Sequence, residues 1–158
     1  MYKDENHKPI KNQSDNFWLL NEGKAEGTII GGNINTFRLL YGTEYLPKFS
    51  DIILFLEDDC DTVGDYMQYE FRRNIYSITQ QNWFDNVRGI VFGRFQIKSN
   101  INKDFVLKLI ADSPKLSQIP ILGNVDFGHN KPMISFPIGG KASLDINLNM
   151  STLDIIEH

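Results

Sequence analysis

Cysteine is almost missing from this chain. Its 158 residues hold one, Cys60, so no internal disulfide can form and no cysteine pair offers a zinc site. Histidine is scarce, at three residues: His7, His129 and His158. No apolar run approaches the roughly 18 residues a membrane helix needs. The opening stretch, Met1 to Pro9, is polar and has no apolar segment of the signal-peptide kind. Neither sign of charge dominates. Sixteen Lys and Arg face 20 Asp and Glu, a net charge of −4, which argues against a nucleic-acid role, since phosphate binding needs clustered Lys and Arg. The glycine-flanked serine of a G-x-S-x-G elbow is absent, as are the G-x-G-x-x-G and G-x-x-x-x-G-K-[ST] phosphate loops and the calcium-loop frame. These absences leave the expectation of one soluble, cytoplasmic globular domain.

What is present has the rhythm of an α/β fold. Residues 1–16 read as a linker or arm, and order is expected from Phe17-Trp18-Leu19-Leu20 onward. Gly27-Thr28-Ile29-Ile30 is a short β-branched run. Asn33 or Asn35 then caps a short helix that closes near Tyr41 and Gly42. Asp51-Ile52-Ile53-Leu54-Phe55-Leu56 is continuously apolar, which suits a strand covered on both faces. Met67, Phe71, Ile75 and Ile78 recur at helical spacing, with Asp61 or Thr62 as the expected cap. Gly89 to Phe95 reads as another strand, and Asn102 opens a helix carrying Phe105, Val106, Leu109 and Ile110. Strands are expected over Ile119–Leu122, Met133–Phe136, Ala142–Ile146 and Thr152–Ile156, with a hairpin turn at Gly139-Gly140. The fold class is therefore α/β, a mixed sheet with early β-α alternation and late antiparallel strands.

Three features could carry chemistry. His129 follows a predicted strand end, between Gly128 and Pro132, where α/β folds place active-site groups. A surface or capping histidine is the competing reading. The cluster Glu57-Asp58-Asp59-Cys60-Asp61 ends a strand at the rim of a sheet. It reads as a solvated loop and helix cap, as a hard-cation site, or as a carboxylate that orients a histidine. Gly31-Gly32-Asn33 is a tight turn or a place where backbone approaches a ligand. A nucleophile is not evident. Ser77 lies in a predicted helix, Ser135 in a predicted strand and Ser143 in the final hairpin region. Cys60 is surrounded by carboxylates that disfavour its thiolate.

Six segments occur in one order: Gly27-Thr-Ile-Ile-Gly-Gly-Asn33, Leu40-Tyr-Gly-Thr43 with Tyr45-Leu-Pro47, Ile53-Leu-Phe-Leu-Glu-Asp58, Gly89-Ile-Val-Phe-Gly-Arg-Phe95, Asp126-Phe-Gly-His129 and Pro137-Ile-Gly139. Over residues 17–158 the series resembles the swivelling β/β/α C-terminal domain of the LD-carboxypeptidase family of serine peptidases, which includes the microcin C self-immunity peptidases. The resemblance implies a two-domain enzyme whose N-terminal domain, absent here, carries the serine and the oxyanion hole. It implies Glu57 and His129 as the acid and base of a Ser-His-Glu triad, with Glu70 a rival in mid-helix. Gly32 and Asn33 are the expected substrate-binding positions. The implied substrates are a murein tetrapeptide or a peptide-nucleotide antibiotic, with no metal or organic cofactor, and a homodimer as the assembly of relatives. Phe127-Gly128 is nearer to the peptidoglycan-recycling branch and Pro132-Met133 to the microcin-immunity branch. On these grounds the chain alone is expected to be inactive. The alternative is a non-catalytic module that binds a small ligand through the Gly31-Gly32-Asn33 turn and the acidic loop.

Overall fold

The computed structural model describes residues 17–59, 65–149 and 151–158. In chain order its strands and helices are β1 (Trp18–Asn21), β2 (Gly23–Asn33), α1 (Ile34–Phe37), β3 (Ile52–Glu57), α2 (Asp65–Thr79), β4 (Val87–Gly93), α3 (Lys103–Ala111), β5 (Ile121–Val125), β6 (Lys141–Ile146) and β7 (Thr152–Glu157). The arm at 1–16, His7, Cys60 and the caps Asp61 and Thr62 lie outside the described residues.

The seven strands form one sheet in the order β1-β5-β4-β3-β2-β6-β7. β2, β3, β4 and β5 run parallel, while β1, β6 and β7 pair antiparallel at the two flanks. This is the expected mixed α/β class. β2 is longer than the apolar run predicts because it serves two partners. Residues Gly23 to Thr28 pair with β6, and Thr28 to Asn33 pair with β3. Passing from one partner to the other curls the sheet, and Leu144 of β6 comes to lie over Gly89 of β4.

All six residues of β3 are buried, which is what an apolar run without alternation requires. Its side chains divide by parity between two cores. Ile52, Leu54 and Leu56 face the helices, where Phe71, Ile75 and Ile78 of α2 and Val106 and Leu109 of α3 pack against them. Ile53 and Phe55 face the inside of the curl, with Val91, Leu122, Phe127 and Leu144. Asn102 caps α3 by accepting from the Phe105 N–H at 3.0 Å.

Two expectations fail between β5 and β6. Met133–Phe136 is not a strand. Pro132 and Pro137 bracket it and cannot donate to a ladder, and Met133 and Ile134 stand exposed. Only Phe136 turns inward, its ring centroid 4.7 Å from that of Phe55 with the planes tilted by 39°. Gly139-Gly140 is not a hairpin turn either. The Gly139 N–H donates to the Ile29 carbonyl at 2.9 Å and the Ile29 N–H to the Gly140 carbonyl at 2.8 Å, which clamps this segment onto β2. The hairpin is instead β6 with β7. Among the described residues, no helix is long and apolar enough to cross a membrane.

Candidate active site

The parallel strands β2 to β5 all end on one edge of the sheet, at Asn33, Glu57, Gly93 and Val125. Loops along such a rim are where α/β sheets bind ligands. Glu57 is the last residue of β3 and shares the parity of Ile53 and Phe55, so its side chain rises on the inside of the curl. The loop after β5 crosses that same side. It brings His129 Nδ1 to 2.6 Å from Glu57 Oε2, across 72 residues of sequence. The carboxylate is nearly buried and the imidazole is half exposed, at 10% and 50% side-chain exposure. One ring nitrogen is thus held while the ring remains open to a partner.

The approach depends on Gly128, which has φ +101°. A Cβ there would stand 3.0 Å from Glu57 Cβ and 3.2 Å from its Oε2. The loop is tied down on the other side by the segment after β4. Arg94 N–H donates to the Phe127 carbonyl at 3.0 Å, Arg94 Nε pairs with Asp126 Oδ1 at 2.5 Å, and Gln96 Nε2 donates to the His129 carbonyl at 3.4 Å. The hydrogen bond to Glu57 lifts the His129 pKa above its ordinary value. Burial opposes this, and the charges of Glu57, Asp59 and Asp58 add to it.

Asp59 and Asp58 are engaged with asparagines. Asn33 Nδ2 donates to Asp59 Oδ1 at 2.7 Å, while Asn33 Oδ1 caps α1 by accepting from the Asn35 and Thr36 N–H groups. Asn35 Nδ2 donates to Asp58 Oδ1 at 3.1 Å. Gly32 borders open space, with nothing within 4 Å of where a Cβ would stand. Glu70, the rival carboxylate, pairs with Arg73 on its own helix at 2.5 Å. His158 is exposed at the chain's last position. The structure therefore brings Glu57 and His129 together, and sets Gly32 and Asn33 one strand away on the same rim.

Arg94, Asp126 and Asn74 received no role from the sequence, and Asn35 only that of a candidate cap, which Asn33 fills instead. Asn74 left a signal there. It falls on the apolar face of α2, three residues after Phe71 and four before Ile78, and it is fully buried. A polar residue on a buried helix face needs partners.

The fold is thus a mixed α/β domain that presents a hydrogen-bonded carboxylate and histidine at its strand-end rim. Comparison with known proteins makes the assignment specific. The model of the LD-carboxypeptidase C-terminal domain matches residues 26–144, and the chain belongs to that family. It is 40% identical to YocD of Bacillus subtilis (strain 168), which carries a carboxypeptidase name, over 89% of this chain and 42% of that protein. It is 31% identical to the microcin C7 self-immunity protein MccF of Escherichia coli, over 91% of this chain and 41% of that protein. The crystal structure of an MccF-like protein from Bacillus anthracis superimposes with a TM-score of 0.84 at 39% identity, covering 90% of this chain and 43% of that one. A structure of MccF in complex with aspartyl sulfamoyl adenosine superimposes with a TM-score of 0.66 at 30% identity, over 90% of this chain and 41% of that one. The chain thus spans less than half the length of these relatives.

Proposed function

We propose that this chain supplies the Glu and His of a Ser-His-Glu triad to a serine peptidase whose nucleophile lies in the part of its relatives that this chain does not match. The observation that carries the reading is the 2.6 Å contact between His129 Nδ1 and Glu57 Oε2. In such a triad the carboxylate holds the imidazole in one tautomer, with Nδ1–H donating to it, and stabilises the imidazolium that forms. His129 Nε2 then takes the proton of the serine hydroxyl as that oxygen attacks the scissile carbonyl, and later gives it to the leaving amine. The half-exposed ring and nearly buried acid suit this division of labour. The acid is shielded from water, and the base is open to a partner that docks over the rim.

The reaction proposed is cleavage of an amide near the C-terminus of a small peptide, either a murein tetrapeptide or a peptide-nucleotide conjugate. The aspartyl sulfamoyl adenosine complex of MccF supports the second class, and Gly32 and Asn33 are the proposed substrate-facing positions. Asn33 would then act with its amide already oriented by Asp59.

The test compares this chain with a full-length form that carries the serine-bearing region. The chain alone is expected to show no turnover of an L,D-tetrapeptide or an aminoacyl sulfamoyl nucleoside, whereas the full-length form hydrolyses one of them. In the full-length form, Glu57→Gln or His129→Ala should lower kcat/KM by about 10⁴-fold. A near-normal rate in either variant removes that residue from the triad. Turnover by the chain alone, abolished by His129→Ala, removes the need for a second region.

A further inference from the structure

Glu57, the last residue of β3, and Asp58, the residue just after it, point to opposite faces of the sheet. Glu57 meets His129 on the inside of the curl. Asp58, 4% exposed, falls on the helix side. There a line of polar side chains runs inward. The Arg38 guanidinium donates to Asn74 Oδ1. Asn74 Nδ2 donates to Asn35 Oδ1 at 2.8 Å, and Asn35 Nδ2 donates to Asp58 Oδ1 at 3.1 Å. The direction is the same at every link. Each amide accepts from the side of the cation and donates toward the anion, so the dipoles align head to tail and each bond polarises the next.

Asn74 is fully buried on α2 among Phe71, Ile75 and Ile78. An apolar residue there would suit the helix better, because a buried amide stabilises nothing unless both its ends are satisfied. Here both ends are, and they connect a charge on one element to a carboxylate on another.

We propose that Asn74 and Arg38 are positioning residues: acting through Asn35 they pin Asp58 on the helix face of the sheet, and so fix the neighbouring Glu57 against His129 on the other face. This rests on the reading of Glu57 and His129 as a working pair. Neighbouring side chains on a strand end share one stretch of backbone, so a turn of Asp58 is also a turn of Glu57. Of the charges that act on His129, Glu57 faces it directly, Asp59 and Asp58 act at longer range from the chain just after β3, and the Arg94–Asp126 ion pair stands at the base of its own loop.

The test reads His129 in this chain by nuclear magnetic resonance, through its ring titration and the downfield signal of the Nδ1 proton. Asn74→Leu removes both amide bonds. Asn74→Asp keeps an acceptor for Arg38 but cannot donate to Asn35. In both, the His129 midpoint should move down toward that of a free histidine and the Nδ1 signal should broaden or vanish. Arg38→Met reads the same line from its outer end if the Asn74 variants fail to fold. Ile75→Val, which loosens the same helix without touching the line, should lower the melting temperature and leave both signals in place. If the Asn74 and Arg38 variants lose only stability, as Ile75→Val does, the proposal is overturned. Glu57→Gln in the same titration reads the pair itself. A shift in Glu57→Gln with none in the Asn74 and Arg38 variants refutes the line of amides and leaves the triad reading intact. Lost signals in Asn74→Leu, beside full activity of the same variant in the full-length enzyme, would uphold the positioning and refute the triad reading.

Discussion

Gly128→Ala is the sharpest probe of how the histidine reaches its acid. At φ +101° an alanine is strained wherever it sits, and holding a residue in such a region costs about 1–3 kcal/mol. At roughly 2–4 °C per kcal/mol for a chain of this size, the melting temperature should fall by about 2–12 °C. The new methyl also needs room. It would stand 3.0 Å from Glu57 Cβ and 3.2 Å from Oε2, closer than carbon and oxygen atoms pack at rest. Either Glu57 gives way or the loop lifts, and both lengthen the 2.6 Å bond to His129. The His129 titration midpoint should therefore drop along with the melting temperature. Gly32→Ala separates the two causes. Gly32 has φ +135° but nothing within 4 Å of its Cβ position, so it carries backbone strain without the collision. It should lose stability and leave the His129 midpoint alone. Thermal melts and proton resonance of the two variants decide the matter. An unchanged midpoint in Gly128→Ala, or equal shifts in both variants, would refute the close-approach argument.

Two further outcomes follow from the same coordinates. His129 has a raised pKa, so its pairing with Glu57 adds stability that is fully present below the unfolded value of roughly 6.5 and is lost as pH rises through the folded value. Denaturant unfolding of the chain and of His129→Asn should converge as the pH climbs above that window, and a constant difference would contradict the pairing. The half-exposed ring keeps the effect small. Leu56→Ala, at a fully buried site facing α2, should cost about 2–5 kcal/mol by the same measurement, and a loss below 1 kcal/mol would contradict the two-faced packing of β3.

Much of the scaffold was open to inspection in the chain itself. The unbroken apolar run of β3 announced a strand covered on both sides, and Met67, Phe71, Ile75 and Ile78 announced the buried face of α2. The cap at Asn102 and the short helix after Asn33 were equally plain. These are local signals, written in the spacing of neighbouring residues. The segment 133–136 misled because an apolar composition between two prolines resembles an edge strand, and nothing nearby reveals that β2 takes β6 and β3 as its partners.

The sequence by itself narrowed which residues could act: a histidine in a loop after a predicted strand, an acidic strand end, and no glycine-flanked serine to complete them. Only the tertiary structure decided that Glu57, rather than Glu70 or its own neighbour Asp58, meets that histidine. The reason is parity and curl. Adjacent residues on a strand face opposite sides, and the folding of the sheet over itself chooses which side receives the loop from 72 residues away. Spacing along a chain carries no record of that choice.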